Sequence, residues 1–119
     1  MRDLFFSTRI RETARLVGTR AAVARTTAEA LAAIAAPEAA LLVTDLTDGA
    51  MDHAAVLSAA AARLPRLPVL GYTTHVLART TQPLHARCDR VLTKEALTRE
   101  LAAILRDGLG AAPAEELAR

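Results

Sequence analysis

Short apolar runs alternate with longer stretches in which apolar residues recur every three or four positions along the chain. Residues 40–44 (ALLVT) are nearly all apolar, as a strand covered on both faces should be. Residues 67–72 (LPVLGY) and 89–93 (DRVLT) repeat that pattern and are predicted as two further strands. Two segments nearer the amino terminus complete the set. Residues 3–7 (DLFFS) carry β-favouring aromatics, and residues 20–25 (RAAVAR) form a weaker second strand. Between the strands the period is helical. Ile10, Ala14 and Val17 share one face of a helix over residues 9–17, which Gly18 is placed to end. Thr26 and Glu29 make a capping box that opens a helix to about residue 36. Ala30, Leu31 and Ile34 form its inner stripe, and Pro37 stops it. Residues 54–63 are an alanine-rich helix broken before Pro65. Residues 73–81 show no clear period. Pro83 suits the first turn of a short helix that Thr81 would cap and that ends near residue 87. Leu97, Leu101, Ile104 and Leu105 define the apolar side of a last helix over residues 95–107, with Gly108 at its end.

Strands and helices of this length in alternation predict a parallel sheet with helices on both faces. The expected fold is an α/β three-layer α/β/α sandwich, flavodoxin-like (βα)5, with a five-stranded parallel sheet in the order 2-1-3-4-5. At 119 residues the chain is one domain, read as residues 1–108 followed by a carboxyl-terminal tail or linker remnant at 109–119.

Composition narrows the function. Apolar residues are 52% of the chain but aromatics only 3%, which suits alanine-faced helices packed closely on a sheet. The net charge is +2, and all the basic residues except Lys94 are arginine, scattered without interleaved aromatics. That distribution argues against a nucleic-acid surface. The single cysteine, Cys88, excludes an internal disulfide and every cysteine-based zinc pattern. A lone reduced thiol, with no signal peptide and no spanning segment, predicts a cytoplasmic protein. His53, His75 and His85 lack ligand spacing. The phosphate-cradling glycine motifs and the GxSxG elbow are absent.

In open parallel sheets the active crevice lies outside the carboxyl ends of the strands. The residues predicted there are Ser7 and Thr8, Asp45, Thr73 and Lys94. With ALLVTDLTDGAMD around Asp45, PVLGYTTH around Thr73 and DRVLTKEALTREL around Lys94, the chain resembles the receiver (CheY-like) domain of two-component response regulators over residues 3–107. TTAEALAAI is similar to the family's second helix. The resemblance implies that Asp45 occupies the phosphoacceptor position, Thr73 the switch position and Lys94 the lysine position.

The departures set this chain apart from the family pattern. Ser7 and Thr8 stand where a receiver carries the acidic pair that holds Mg²⁺. Glu95 replaces the proline after the lysine, Val91 the strand-five aromatic, and Gly49 the loop proline. The first helix is about a turn short. A receiver site with three carboxylates and one lysine needs a divalent cation to balance it, whereas Asp45 and Lys94 can neutralise each other directly. The expectation is an atypical, pseudo-receiver signalling domain. It acts as a phosphorylation-independent protein–protein interaction module, is not an enzyme, and needs no metal or cofactor. Its expected partner is a signalling or regulatory protein, or a second copy docking on the 76–107 face, with no direct contact to nucleic acid or membrane. Two alternatives stay open. One is a conventional single-domain response regulator phosphorylated on Asp45, with the loop acids Asp48 or Asp52 helping to hold the metal. The other is a small α/β protein binding an anion or nucleotide at the strand ends.

Overall fold

The computed structural model describes residues 4–109. Its elements are α1 (Leu4–Leu16), α2 (Thr27–Ala35), β1 (Leu42–Asp45), α3 (His53–Ala62), β2 (Val69–Thr73), α4 (Ala78–His85), β3 (Arg90–Thr93) and α5 (Lys94–Asp107). The three strands form one parallel sheet in the order β1-β2-β3, with Leu42 opposite Val69 and Leu70 opposite Arg90. The expected five-stranded sheet is therefore corrected to three strands and five helices among the described residues, still of the α/β class.

Both missing strands have a local cause. The first was predicted at residues 3–7, but Leu4–Leu16 is one continuous helix; residue 3 lies outside the described residues. Phe6, Ile10 and Ala14 are buried at a spacing of four, so the helical stripe read from Ile10 onward already begins at Phe6. The β preference of two adjacent aromatics is weak against that periodicity. The second was predicted at residues 20–25. These residues run beside the edge of β1 but are not part of the described ladder, which holds only β1, β2 and β3. The tail read at 109–119 falls outside the described residues apart from Leu109.

The other elements follow local rules. Thr26 caps α2 by accepting from the Glu29 N–H at 3.1 Å, and the Glu29 carboxylate reaches back to the Arg25 N–H at 2.8 Å. Asp52 caps α3 through the Ala55 N–H, and Thr93 caps α5 through the Ala96 N–H. Gly108, at φ 90°, ends α5 with its N–H on the Ile104 carbonyl at 2.8 Å. α4 starts at Ala78, earlier than predicted, so Pro83 lies inside the helix and Thr81 is an interior residue instead of its cap.

Successive strand residues point to opposite faces of the sheet and feed two apolar clusters. On one face Val69 and Val91 pack with Ala30 and Ile34 of α2 and Val56, Leu57 and Ala60 of α3. On the other, Leu70, Tyr72 and Leu92 pack with Phe6 and Ile10 of α1 and Leu97, Leu101 and Ile104 of α5. Every position of β2 and β3 is buried. Each leucine so buried contributes roughly 1.5–3 kcal/mol. The sheet is thus a rigid platform whose carboxyl end presents Asp45, Thr73 and Thr93.

Candidate functional site at the sheet's carboxyl end

The ladder register aligns the strand ends: Asp45 sits opposite Tyr72, and Thr73 opposite Thr93, with Lys94 next in the chain. The predicted Asp45, Thr73 and Lys94 therefore do share one edge of the sheet. Their side chains turn in different directions.

Asp45 is half-buried and folds back on its own turn. One carboxylate oxygen accepts from the Thr47 N–H at 2.9 Å and from the Thr47 hydroxyl at 2.6 Å. This is an Asx turn, the local bonding that aspartate favours where a strand gives way to a loop. The Asp48 N–H closes the same turn on the Asp45 carbonyl. Lys94 takes another course. Its ammonium stands 5.0 Å above the centre of the Phe6 ring, a cation–π contact. The expected Asp45–Lys94 ion pair is not among the salt bridges of the described residues. Phe6, brought into place by α1, is the lysine's ring partner and also meets Tyr72 edge-on at 5.0 Å.

Ser7 and Thr8, expected at a strand end, lie instead in the second turn of α1, with Ser7 buried and Thr8 exposed. The two loop acids have structural partners. Asp48 is buried, its carboxylate accepts from the Ala50 N–H at 3.0 Å, and its carbonyl lies 2.9 Å from His53 Nε2. Asp52 is the exposed cap of α3. No group of three or more His, Cys, Asp or Glu among the described residues is disposed to hold a metal ion.

Thr73 is fully buried and looks inward to α4. The Thr81 hydroxyl lies 3.1 Å from that of Thr73 and 2.8 Å from His85 Nε2, and His85 is fully buried as well. Thr81 has one hydroxyl proton. It points to the Thr73 hydroxyl or to the Ala78 carbonyl, 3.2 Å away, and the imidazole tautomer sets which partner donates in the Thr81–His85 contact. This buried polar chain ties the end of β2 to the whole length of α4. Sequence reasoning missed it, although Thr81 and His85 stand four residues apart, the spacing that places two side chains on one helical face. Taking Thr81 for a cap hid that signal.

Two further features frame the edge. Val76, in the loop from β2 into α4, is 88% exposed, and Phe5 on α1 is 92% exposed. A shallow depression of about 350 Å³ runs between Phe5, Arg9, Lys94 and Glu95. Behind the edge, Cys88 packs into the core under Gly71, and burial followed by the Asp89 charge pushes its thiol up to about 11. No helix among the described residues is long and apolar enough to cross a membrane. No protein-family model matches the chain, and searches of curated proteins and of solved structures return no significant similarity.

Proposed function

We propose that the protein is an atypical receiver-like signalling domain that works by binding another protein and not by Mg²⁺-dependent aspartyl phosphorylation. The observation that carries this reading is the divergence of Asp45 and Lys94. In-line phosphoryl transfer relies on a carboxylate nucleophile and cationic groups converging on one phosphoryl group. Here the carboxylate is occupied by Thr47 and the ammonium by the Phe6 ring. The nearby acids Asp48 and Asp52 hold backbone N–H groups.

Exposed apolar residues support the binding half of the proposal. Val76 and Leu77 stand at the entry to α4, at the start of the 76–107 face on which a regulatory protein or a second copy would dock. The Thr73–Thr81–His85 chain gives that face a mechanical link to the sheet edge, because α4 cannot shift without disturbing it. A cytoplasmic setting, with Cys88 kept reduced, belongs to the same proposal.

The test is intact-mass analysis after incubation with acetyl phosphate, with and without Mg²⁺, on wild type and Asp45→Asn. No phosphoryl adduct under either condition is the expected result. A Mg²⁺-dependent adduct on wild type that disappears in Asp45→Asn would overturn the proposal in favour of a working phosphoswitch. Light scattering of wild type against Val76→Asp then tests the second-copy arm, since a dimer through this face should dissociate in the variant.

A further inference from the structure

Among the described residues, the sheet is unpaired along the outer edge of β1. Only Thr44 of β1 is buried, whereas β2 and β3 are buried throughout. The Leu42 and Leu46 N–H groups donate inward to the Pro68 and Tyr72 carbonyls, both at 2.9 Å. Backbone groups alternate along a strand in a parallel ladder, so the N–H and C=O of Leu41 and Val43 and the N–H of Asp45 turn outward. None of these has a partner among the described residues. Backbone groups taken out of water are almost always paired, so an occupant that covers this edge has to supply partners for them.

They open on a groove of about 850 Å³. Residues 20–24 line the same groove outside the described ladder, and apolar side chains from α1, α2 and α5 (Ile10, Ile34 and Leu105) line it as well. The volume lies in the upper part of the roughly 300–1,000 Å³ of ordinary binding sites. Besides charged side chains, the groove presents a row of backbone donors and acceptors at strand spacing, which an extended peptide matches and a compact small molecule does not.

We propose that this groove is a strand-acceptor site, and that its occupant is an extended apolar segment of another polypeptide that adds parallel to β1. Strand addition at an open edge is an established mode of peptide recognition. Three features define the guest. Its alternate side chains would enlarge the two apolar clusters, since Leu42 packs on one and Leu41 and Val43 on the other. It must therefore be apolar on both faces, about five residues long, and rich in β-branched residues. The groove is also polarised. Arg106, at the end of α5, and Glu38 line it where β1 begins, Arg20 lines it as well, and Asp45 and Asp48 line it where β1 ends. A parallel guest should begin with an acidic residue and finish with a basic one. The chain's own residues 110–119 do not meet this description, because GAAPAEELAR carries a proline and two glutamates in place of an apolar run. A second copy does not fit either, since its β1 would bring α1 and α2 with it into a space one strand wide.

The probe is the peptide acetyl-Asp-Val-Ile-Val-Val-Lys-amide, added to isotope-labelled protein, with amide hydrogen exchange followed by NMR. Exchange at the Val43 and Asp45 N–H groups is expected to slow by about tenfold or more on saturation. The same peptide with proline at its central position, which lacks a ladder donor, should not protect them. Because the protein is unaltered in both arms, misfolding cannot produce the difference. Unchanged exchange, or equal protection by the proline peptide, would overturn the proposal. Protection seen only when the segment is fused ahead of Met1 would also overturn it, and would make the groove the place of an intramolecular strand.

Discussion

The Asp45 carboxylate accepts two hydrogen bonds from Thr47, one from the backbone at 2.9 Å and one from the hydroxyl at 2.6 Å. Charge-assisted bonds of this kind are about twice as strong as neutral ones, and they hold the carboxylate to its own turn. Lys94, on the neighbouring end of β3, is drawn instead to the Phe6 ring. A double-mutant cycle separates the two relationships. The pair Lys94→Met and Phe6→Leu should show a coupling of about 0.5–1 kcal/mol in urea unfolding. The pair Lys94→Met and Asp45→Asn should be additive. Strong coupling in the second cycle would restore the ion pair as the feature that organises this edge.

The buried chain from Thr73 through Thr81 to His85 predicts an outsized cost for removing one methyl-sized polar group. Thr81→Val keeps the shape but strips two buried neighbours of a partner. It should cost roughly 1–3 kcal/mol, the penalty for leaving buried polar atoms unsatisfied. Amide exchange in α4 should quicken more than exchange in α5, because only α4 is anchored through this residue. A loss below half a kcal/mol with α4 unaffected would remove the proposed link between sheet edge and docking face.

Gly71 lies in the middle of the central strand, where a Cβ would come 2.8 Å from Leu46 Cδ1 and 2.9 Å from Cys88 Sγ. Both neighbours are buried and cannot swing into solvent. Gly71→Ala should therefore destabilise by about 1–3 kcal/mol through overpacking, despite the better strand propensity of alanine. Pairing it with Cys88→Ala should recover part of that loss. No recovery would place the strain elsewhere.

Cys88 makes stability depend on alkaline pH. Burial first, and the Asp89 charge second, raise its thiol from 9.0 to about 11 in the folded state. A group that binds its proton more tightly when folded contributes stability below the unfolded value and loses it as pH climbs through the folded one. Wild type should thus lose stability between pH 9 and about pH 11 relative to Cys88→Ala, measured by urea unfolding of both proteins at each pH. The folded protein should also react slowly with thiol reagents at pH 8, since the nucleophilic thiolate is scarce. Rapid labelling of the native state would contradict this burial.

The sequence by itself determined the α/β class, the three strongest strands, and the capped start of α2. Each rests on interactions within a few residues: a continuous apolar run, a Thr–Glu capping box, a proline stop. It also placed Asp45, Thr73 and Lys94 at one sheet edge, because parallel strands of similar length end together. What it could not determine was the number of strands. A strand exists only by pairing with another, and residues 20–25, despite a strand-like composition, do not enter the ladder among the described residues. In residues 4–7 of the first predicted strand a weak β preference gave way to a helical stripe that becomes visible only when Phe6 is seen packing with Ile10 against α5. Side-chain direction was equally a tertiary matter. Opposite charge drew Asp45 and Lys94 together on paper, but α1 delivers an aromatic ring beneath the lysine and the local turn claims the aspartate. The Thr73–Thr81–His85 chain and the open groove beside β1 both arise from elements distant in sequence meeting in space, which no local pattern along the chain encodes.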